Sequence, residues 1–472
     1  MRRSHEPVRT RQQRSRHETT QTLPLHDRLL AGAGMTQTGA AGSIERVLAR
    51  LVAVQPQEIR ALLWSFAYFF CLLAGYYVLR PVRDEMGLAS GIKNLPWLFT
   101  ATFFVMLAVV PVYGALVARL PRQRFIPLVY HFFVINIVIF WLLLTQGIAL
   151  AVTAQVFFVW ISVFNLFAVS VFWSFMADLY GAEQGKRLFG FIAAGGSAGA
   201  LLGPALAASL AEPIGRANLL LIAALLLEGA VFCAMRLETA AAAFKAGGQT
   251  AHSSVAKPAG LGGSWIGGIL MILRSPYLAG IATWVAMLSL AGTFLYFQQA
   301  NIVSALTDDP NKRTAIFARI DLAVSLLTVI VQFLATGKLI KRFGAGPATA
   351  FLPLVFAIGF VALWATPMLW VVIAFQAVQR AANFAIANPA REVLFTVVER
   401  EEKYKAKNVI DNVVFRGSDA LFGWLFSALR GLGLELGSIS LATVPVAAAW
   451  FALSLALGRT QERKASNAEH RT

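Results

Sequence analysis

The feature that most limits how this chain can fold is a succession of about twelve apolar stretches, each near the roughly 20 residues that a helix needs to cross the hydrocarbon core of a bilayer. They run over 59–79, 96–118, 125–145, 150–176, 188–210, 217–236, 277–299, 315–336, 347–365, 368–390, 408–430 and 436–458. With 57% of 472 residues hydrophobic and 14% charged, no water-soluble arrangement could hide so much apolar surface. A transmembrane barrel would show short alternating segments instead. The expected fold is an all-α membrane protein embedded in the lipid bilayer.

Basic residues set the expected orientation, because positively charged loops stay in the cytoplasm. With both termini inside, the inner loops and adjoining helix ends carry 24 lysines and arginines beyond residue 34, and the outer ones carry 7. Both termini are therefore expected to be cytoplasmic. The same asymmetry accounts for most of the net charge of +17, so the basicity does not point to nucleic acid. The arginine-rich opening "MRRSHEPVRTRQQRSRHETTQ" has no apolar core beside its arginines, so it reads as a tail, with Met35 a possible true start.

Cys71 and Cys233 both fall inside spans and read as small buried residues. Of six histidines only His131 lies in a span, so neither a metal site nor a histidine relay is expected. No phosphate-binding loop, zinc-protease helix or nucleophile elbow occurs, so neither catalysis nor a cofactor is expected.

The chain divides in two at "LETAAAAFKAGGQTAHSSVAKPAGLGGS", which reads as a flexible linker. It is followed by "WIGGILMILRSPYL", a short amphipathic approach to the seventh span. The expected organisation is a cytoplasmic tail over 1–58, a six-helix bundle over 59–236, a cytoplasmic linker over 237–276, a second bundle over 277–458 and a cytoplasmic tail over 459–472. A weak repeat links the halves. "YGALVARLPRQRF" at 113–125 matches "TGKLIKRFGAGPA" at 336–348, Phe175, Arg187 and Gly203 match Phe395, Lys407 and Gly423, and "YYVL" at 76–79 sits opposite "YFQQ" at 296–299. Three nearly collinear matches imply two bundles related by a parallel repeat.

Twelve spans in two halves, a long central loop and a glycine-leading basic loop after the second and eighth spans resemble the major facilitator superfamily. That loop's usual acidic residue is absent, since Ala118 follows "GALV". More narrowly, "YYVLRPVRDEMG", "FNLFAVSVFWSFMADLYGAEQGKRLFGFIAAGGSAGALLG" and "RSPYL" resemble the ATP/ADP translocase branch of nucleotide exchangers. The resemblance implies a monomeric secondary transporter of the bacterial inner membrane, with a small anionic substrate of the ATP/ADP kind. It also implies a nucleotide-binding role for a basic residue followed by aspartate near the first span, here Arg83 and Asp84, with arginine replacing the usual lysine.

Charges inside membrane helices mark interior cavities. At 100° per residue, Tyr76, Arg80 and Arg83 share one face of the first span, with Asp84 beside it, a group suited to stacking on a planar ring and gripping phosphate. Arg80 also lies 20 residues after Arg60, so an anchoring role at the outer interface stays open. In the tenth span Arg380 shares a face with Gln376, Asn383 and Arg391 and has no carboxylate within four residues, so its partner must come from another helix or a ligand. In the eleventh, Asn412, Arg416 and Asp419 lie on one face, with Asp411 beside it. Arg319 and Asp321 are two apart and reach different helices; Glu228 stands alone. Five arginines (80, 83, 319, 380, 416) against five carboxylates (84, 85, 321, 411, 419) give a balance of zero.

Gly195, Gly199 and Gly203 recur every four residues and form a ridge for close helix packing, expected where the fifth span meets the eighth between the halves. The substrate set expected from sequence is thus Tyr76, Arg80, Arg83, Asp84, Gln376, Arg380, Asn383, Asn412, Arg416 and Asp419. Proton-coupled transport centred on Glu228, and a non-transporting membrane scaffold, are the alternatives.

Overall fold

Glu58 stands immediately before the first helix. Its carboxylate makes no cap for its own helix. It accepts instead from Gln184 at 2.8 Å and Arg187 at 3.1 Å, both at the start of the fifth span. The computed structural model describes residues 54–55, 57–119, 122–246, 265–334 and 345–469, and among these every helix belongs to one unit, Gln57–Thr472. The tail before residue 35, the possible start at Met35, residues 247–264 of the linker and the eighth-span basic loop with Arg342 lie outside the described residues.

The first half comprises α1 (Ile59–Ala89), α2 (Leu95–Arg119), α3 (Arg122–Thr145), α4 (Leu150–Leu179), α5 (Ala182–Ile214) and α6 (Arg216–Ala246). The second opens with the short amphipathic α7 (Trp265–Arg274) and continues with α8 (Pro276–Leu306), α9 (Pro310–Leu334) and α10 (Ala345–Ala365). The tenth span is built from α11 (Leu369–Ala382), a five-residue π turn and α12 (Asn388–Leu394). The eleventh is built from α13 (Arg400–Val409), a second π turn at Ile410–Val414 and α14 (Phe415–Gly431), and α15 (Leu436–Glu469) closes the chain. Among the described residues eleven helical segments are long and apolar enough to cross a membrane, and the interrupted α13–α14 arm occupies the remaining place. This is an integral membrane protein.

The break in the tenth span has a local cause. Pro389 lacks an N–H and its ring would collide with the carbonyl of Ala385, so the backbone widens through the π turn Asn383–Ala387 just before it. In α1, Pro81 likewise leaves the Tyr77 carbonyl without its helical donor, next to Arg80.

Aromatic packing consolidates each half. Phe69 of α1 stacks on Phe172 of α4 at 4.1 Å, and Tyr68 donates to Tyr130 of α3 at 2.7 Å. In the second half Trp284 meets Trp450 at 5.4 Å and donates to Ser454, while Phe356 lies against Phe375 and Trp450.

The glycine ridge lies elsewhere than its periodicity suggested. A Cβ at Gly195 would come 2.5 Å from the Phe66 carbonyl, one at Gly203 2.6 Å from the Ala74 carbonyl, and one at Gly199 would collide with the Phe70 carbonyl. All three neighbours are backbone of α1. The ridge therefore locks α5 onto α1 inside the first half, and α5 meets α9 through other residues. The four-residue spacing gives a glycine face, but only packing says which helix it receives.

The side on which α1 begins is termed proximal and the opposite side distal. Bridges between the halves cluster distally. Arg319 of α9 reaches Glu212 of α5 at 3.2 Å, the Arg216 backbone N–H donates to Asn311 at 2.9 Å, and Trp424 of α14 donates to Thr100 of α2 at 3.0 Å. On the proximal side, Glu58–Arg187 stays within the first half, while Arg391–Asp411 and Lys407–Glu392 stay within the second.

Candidate functional site

Asp321 is the centre of the site. It stands 11 residues into α9, roughly 16 Å along the helix axis, and is only 2% exposed. Its Oδ1 receives Arg380 of α11 at 2.7 Å and lies 3.5 Å from Arg80 of α1, so one carboxylate oxygen is shared by an arginine from each half. Its Oδ2 is buried with no hydrogen-bond partner. The deep arginine that lacked a partner on its own helix thus finds one across the bundle, and that partner also ties in the first half. A buried carboxylate holding two guanidinium groups leaves one net positive charge, which a second anion can neutralise.

A second cluster lies beside the first. Arg83 pairs with Asp84 at 2.8 Å and sits over the rings of Phe158 at 4.6 Å and Tyr296 at 5.9 Å. Tyr296 of α8 donates to Asp84 at 3.3 Å, again joining the halves. Arg83 shares a small pocket of about 40 Å³ with Thr102, Ser162, Arg416 and Asp419. Arg416 approaches Asp419 at 3.6 Å, and Asp419 also accepts from Ser289 at 2.6 Å and Thr293 at 3.3 Å. Arg80, whose guanidinium is 5.8 Å from the Tyr77 ring, also borders a cavity of about 260 Å³ between the halves, with Ser197, Ser325 and Thr328 on its walls.

Arg80 and Arg83 are therefore mostly buried between the halves rather than at an outer interface. The charge balance changes as well. Arg319 pairs with Glu212, Glu85 with Arg216 and Asp411 with Arg391, each a pair that is neutral in itself. What remains is four arginines (80, 83, 380, 416) against three carboxylates (84, 321, 419), an excess of one positive charge in place of zero.

Other expected members sit apart. Gln376 donates to Gln299 at 2.6 Å and accepts from Gln379 at 2.9 Å, a buried amide ladder between α11 and α8. Asn383 lies in the π turn with a buried, unpartnered Oδ1, and Asn412 donates to Asn408 on its own helix. The Tyr76 ring meets Tyr77 and Phe164. Glu228 is not alone: its carboxylate is 3.5 Å from His131, and both side chains are about half exposed on the outer surface of α3 and α6.

Sequence reasoning left Asp321, Tyr296, Tyr77, Ser289 and Thr293 out of the site. The signal for Tyr296 was present, since the repeat sets it opposite Tyr76.

No family model matches the chain. Among solved structures, a bacterial homologue of the iron transporter ferroportin in an inward-facing state superposes with a TM-score of 0.60 at 13% identity, covering 84% of this chain and 99% of that one. A bacterial homologue of the human lysosomal transporter Spinster, inward-facing and unoccupied, gives 0.55 at 15% identity, covering 86% and 99%. The chain shares the fold of these two transporters. In sequence, the chain is similar to ADP,ATP carrier protein 1 of Chlamydia trachomatis and of Chlamydia muridarum, each 24% identical with 89% of this chain and 90% of the relative covered. It resembles the ATP/ADP translocase branch along most of its length.

Proposed function

We propose that this protein is an alternating-access exchanger of nucleotides or closely related phosphorylated anions, held here in a state closed on the distal side. The observation that carries the reading is Asp321 shared between Arg80 and Arg380. It places an excess positive charge at mid-depth, between two halves that must separate and rejoin around a substrate. Tyr77 beside Arg80 and Tyr296 beside Arg83 provide aromatic surface for a planar base. Similarity to carriers of ADP and ATP supports the substrate class. The proton-coupled alternative loses its anchor, because Glu228 faces outward beside His131 and away from the layer between the halves.

Vesicles containing the purified protein and preloaded with ADP are expected to take up labelled ATP, and empty vesicles are not. Equal uptake by both would remove exchange from the reading.

In the orientation favoured by the basic loops the proximal side is cytoplasmic, in a bacterial inner membrane. A phosphatase fused after Thr472 is then expected to be inactive, and a β-galactosidase fused there active; the reverse pattern would invert the topology.

Rocking must open the Glu212–Arg319 contact. Glu212→Cys with Arg319→Cys, bridged by a short bifunctional thiol reagent, is expected to cut turnover at least about tenfold, with recovery on reduction. Undiminished transport in the bridged protein would mean that this contact persists through the cycle.

A further inference from the structure

On the distal side a cavity of about 610 Å³ opens between the halves, separate from the charge layer. Lys93 comes from the turn Ile92–Asn94 that joins α1 to α2, while Asn301 comes from α8, and Ser427 and Arg430 from α14. Gly91 sets up the turn at φ +95°, a backbone conformation that glycine tolerates and bulkier residues do not, and Asn94 fastens it by donating to the Ser90 carbonyl at 2.6 Å. Arg430 uses one nitrogen on the Leu434 carbonyl at 2.9 Å. Among the described residues neither Lys93 nor Arg430 has a carboxylate in ion-pairing reach. The floor is aromatic: Phe297 and Phe426 line the cavity with rings 5.2 Å apart, and Phe297 touches Phe99 at 5.6 Å, which lines the pocket of Arg83, Arg416 and Asp419 beyond.

We propose that this cavity is an outer anion site, in which Lys93 from one half and Arg430 from the other hold the phosphate groups of a nucleotide-like anion one aromatic layer away from the central site. The assignment of the anion rests on the exchange reading of the central site; the outer site itself rests on two unpaired cations, an amide and a hydroxyl converging on a cavity large enough for such a ligand. Because its walls come from both halves, occupancy favours the state in which those walls are together.

The test is an ATP titration of the purified full-length protein in nanodiscs of zwitterionic lipid. The parent is expected to show two classes of site. Lys93→Gln and Arg430→Gln are each expected to weaken the outer class at least about tenfold and to leave the central class unchanged, whereas Arg380→Ala removes the central class alone. Both outer residues are exposed, so the variants should melt with the parent, and the titration then reports binding. If the Lys93→Gln/Arg430→Gln double variant titrates like the parent, the outer site is overturned and the central reading stands. An outer class without a central one would uphold the outer site and overturn the central reading, and no ATP binding by the parent would overturn both. Loss of the outer class on changing to phosphatidylglycerol nanodiscs would support the phosphate chemistry and identify a lipid headgroup as its natural source.

Discussion

Arg380→Ala is expected to abolish nucleotide exchange, lowering ATP uptake into ADP-loaded vesicles by roughly 100-fold or more, as for loss of a charge-assisted contact of ~3 kcal/mol to substrate. The protein should still fold, because Arg80 remains to face Asp321 after its nearer partner is gone. Arg380→Lys keeps the charge but not the planar fork that grips two oxygens, so weak exchange should remain. Lys186→Ala is the control: Lys186 is exposed, pairs with Glu183 on its own helix and should leave uptake unchanged. Tight ATP binding by purified Arg380→Ala protein would place the substrate elsewhere.

Gly199→Leu has the second large expected effect, and it is on folding. A Cβ at this position already meets the Phe70 carbonyl and the Ala74 N–H group, both backbone of α1, and backbone cannot turn aside as a side chain can. The alanine variant should cost about 1–3 kcal/mol, and leucine should leave little monodisperse protein in detergent. Thermal melting of the two variants separates the outcomes. A Gly199→Leu protein that melts with the parent would show that α1 and α5 are not in close contact there. Had the ridge lain between the halves, the same substitution would have slowed turnover and spared the fold.

Much of this architecture is fixed by sequence because its causes are local. A run of about 20 apolar residues must become a membrane helix wherever it sits in the chain, since an unpaired backbone amide in hydrocarbon costs several kcal/mol. Hence the spans and the amphipathic α7 are legible from spacing and polarity alone, as is the need of the deep Arg380 for a partner on another helix. Spacing leaves Arg80 and Arg83 open to an anchoring role at the outer interface, until packing buries them. Sequence also says that Arg319 and Asp321, two residues apart, must point to different helices, and they do, toward Glu212 and Arg380.

Which helix receives each face is decided only in three dimensions. Helical periodicity fixes a direction around one axis and carries no information about the neighbour across it. For that reason the glycine ridge meets α1 rather than α9, Gln376 turns to an amide ladder, and Glu228 finds His131 on the outer surface. The same limit hid the positive excess of the central layer. A tally along the chain counts every buried charge once, whereas the folded protein neutralises Glu85 with Arg216 and Asp411 with Arg391, leaving Asp321 to hold two arginines from opposite halves.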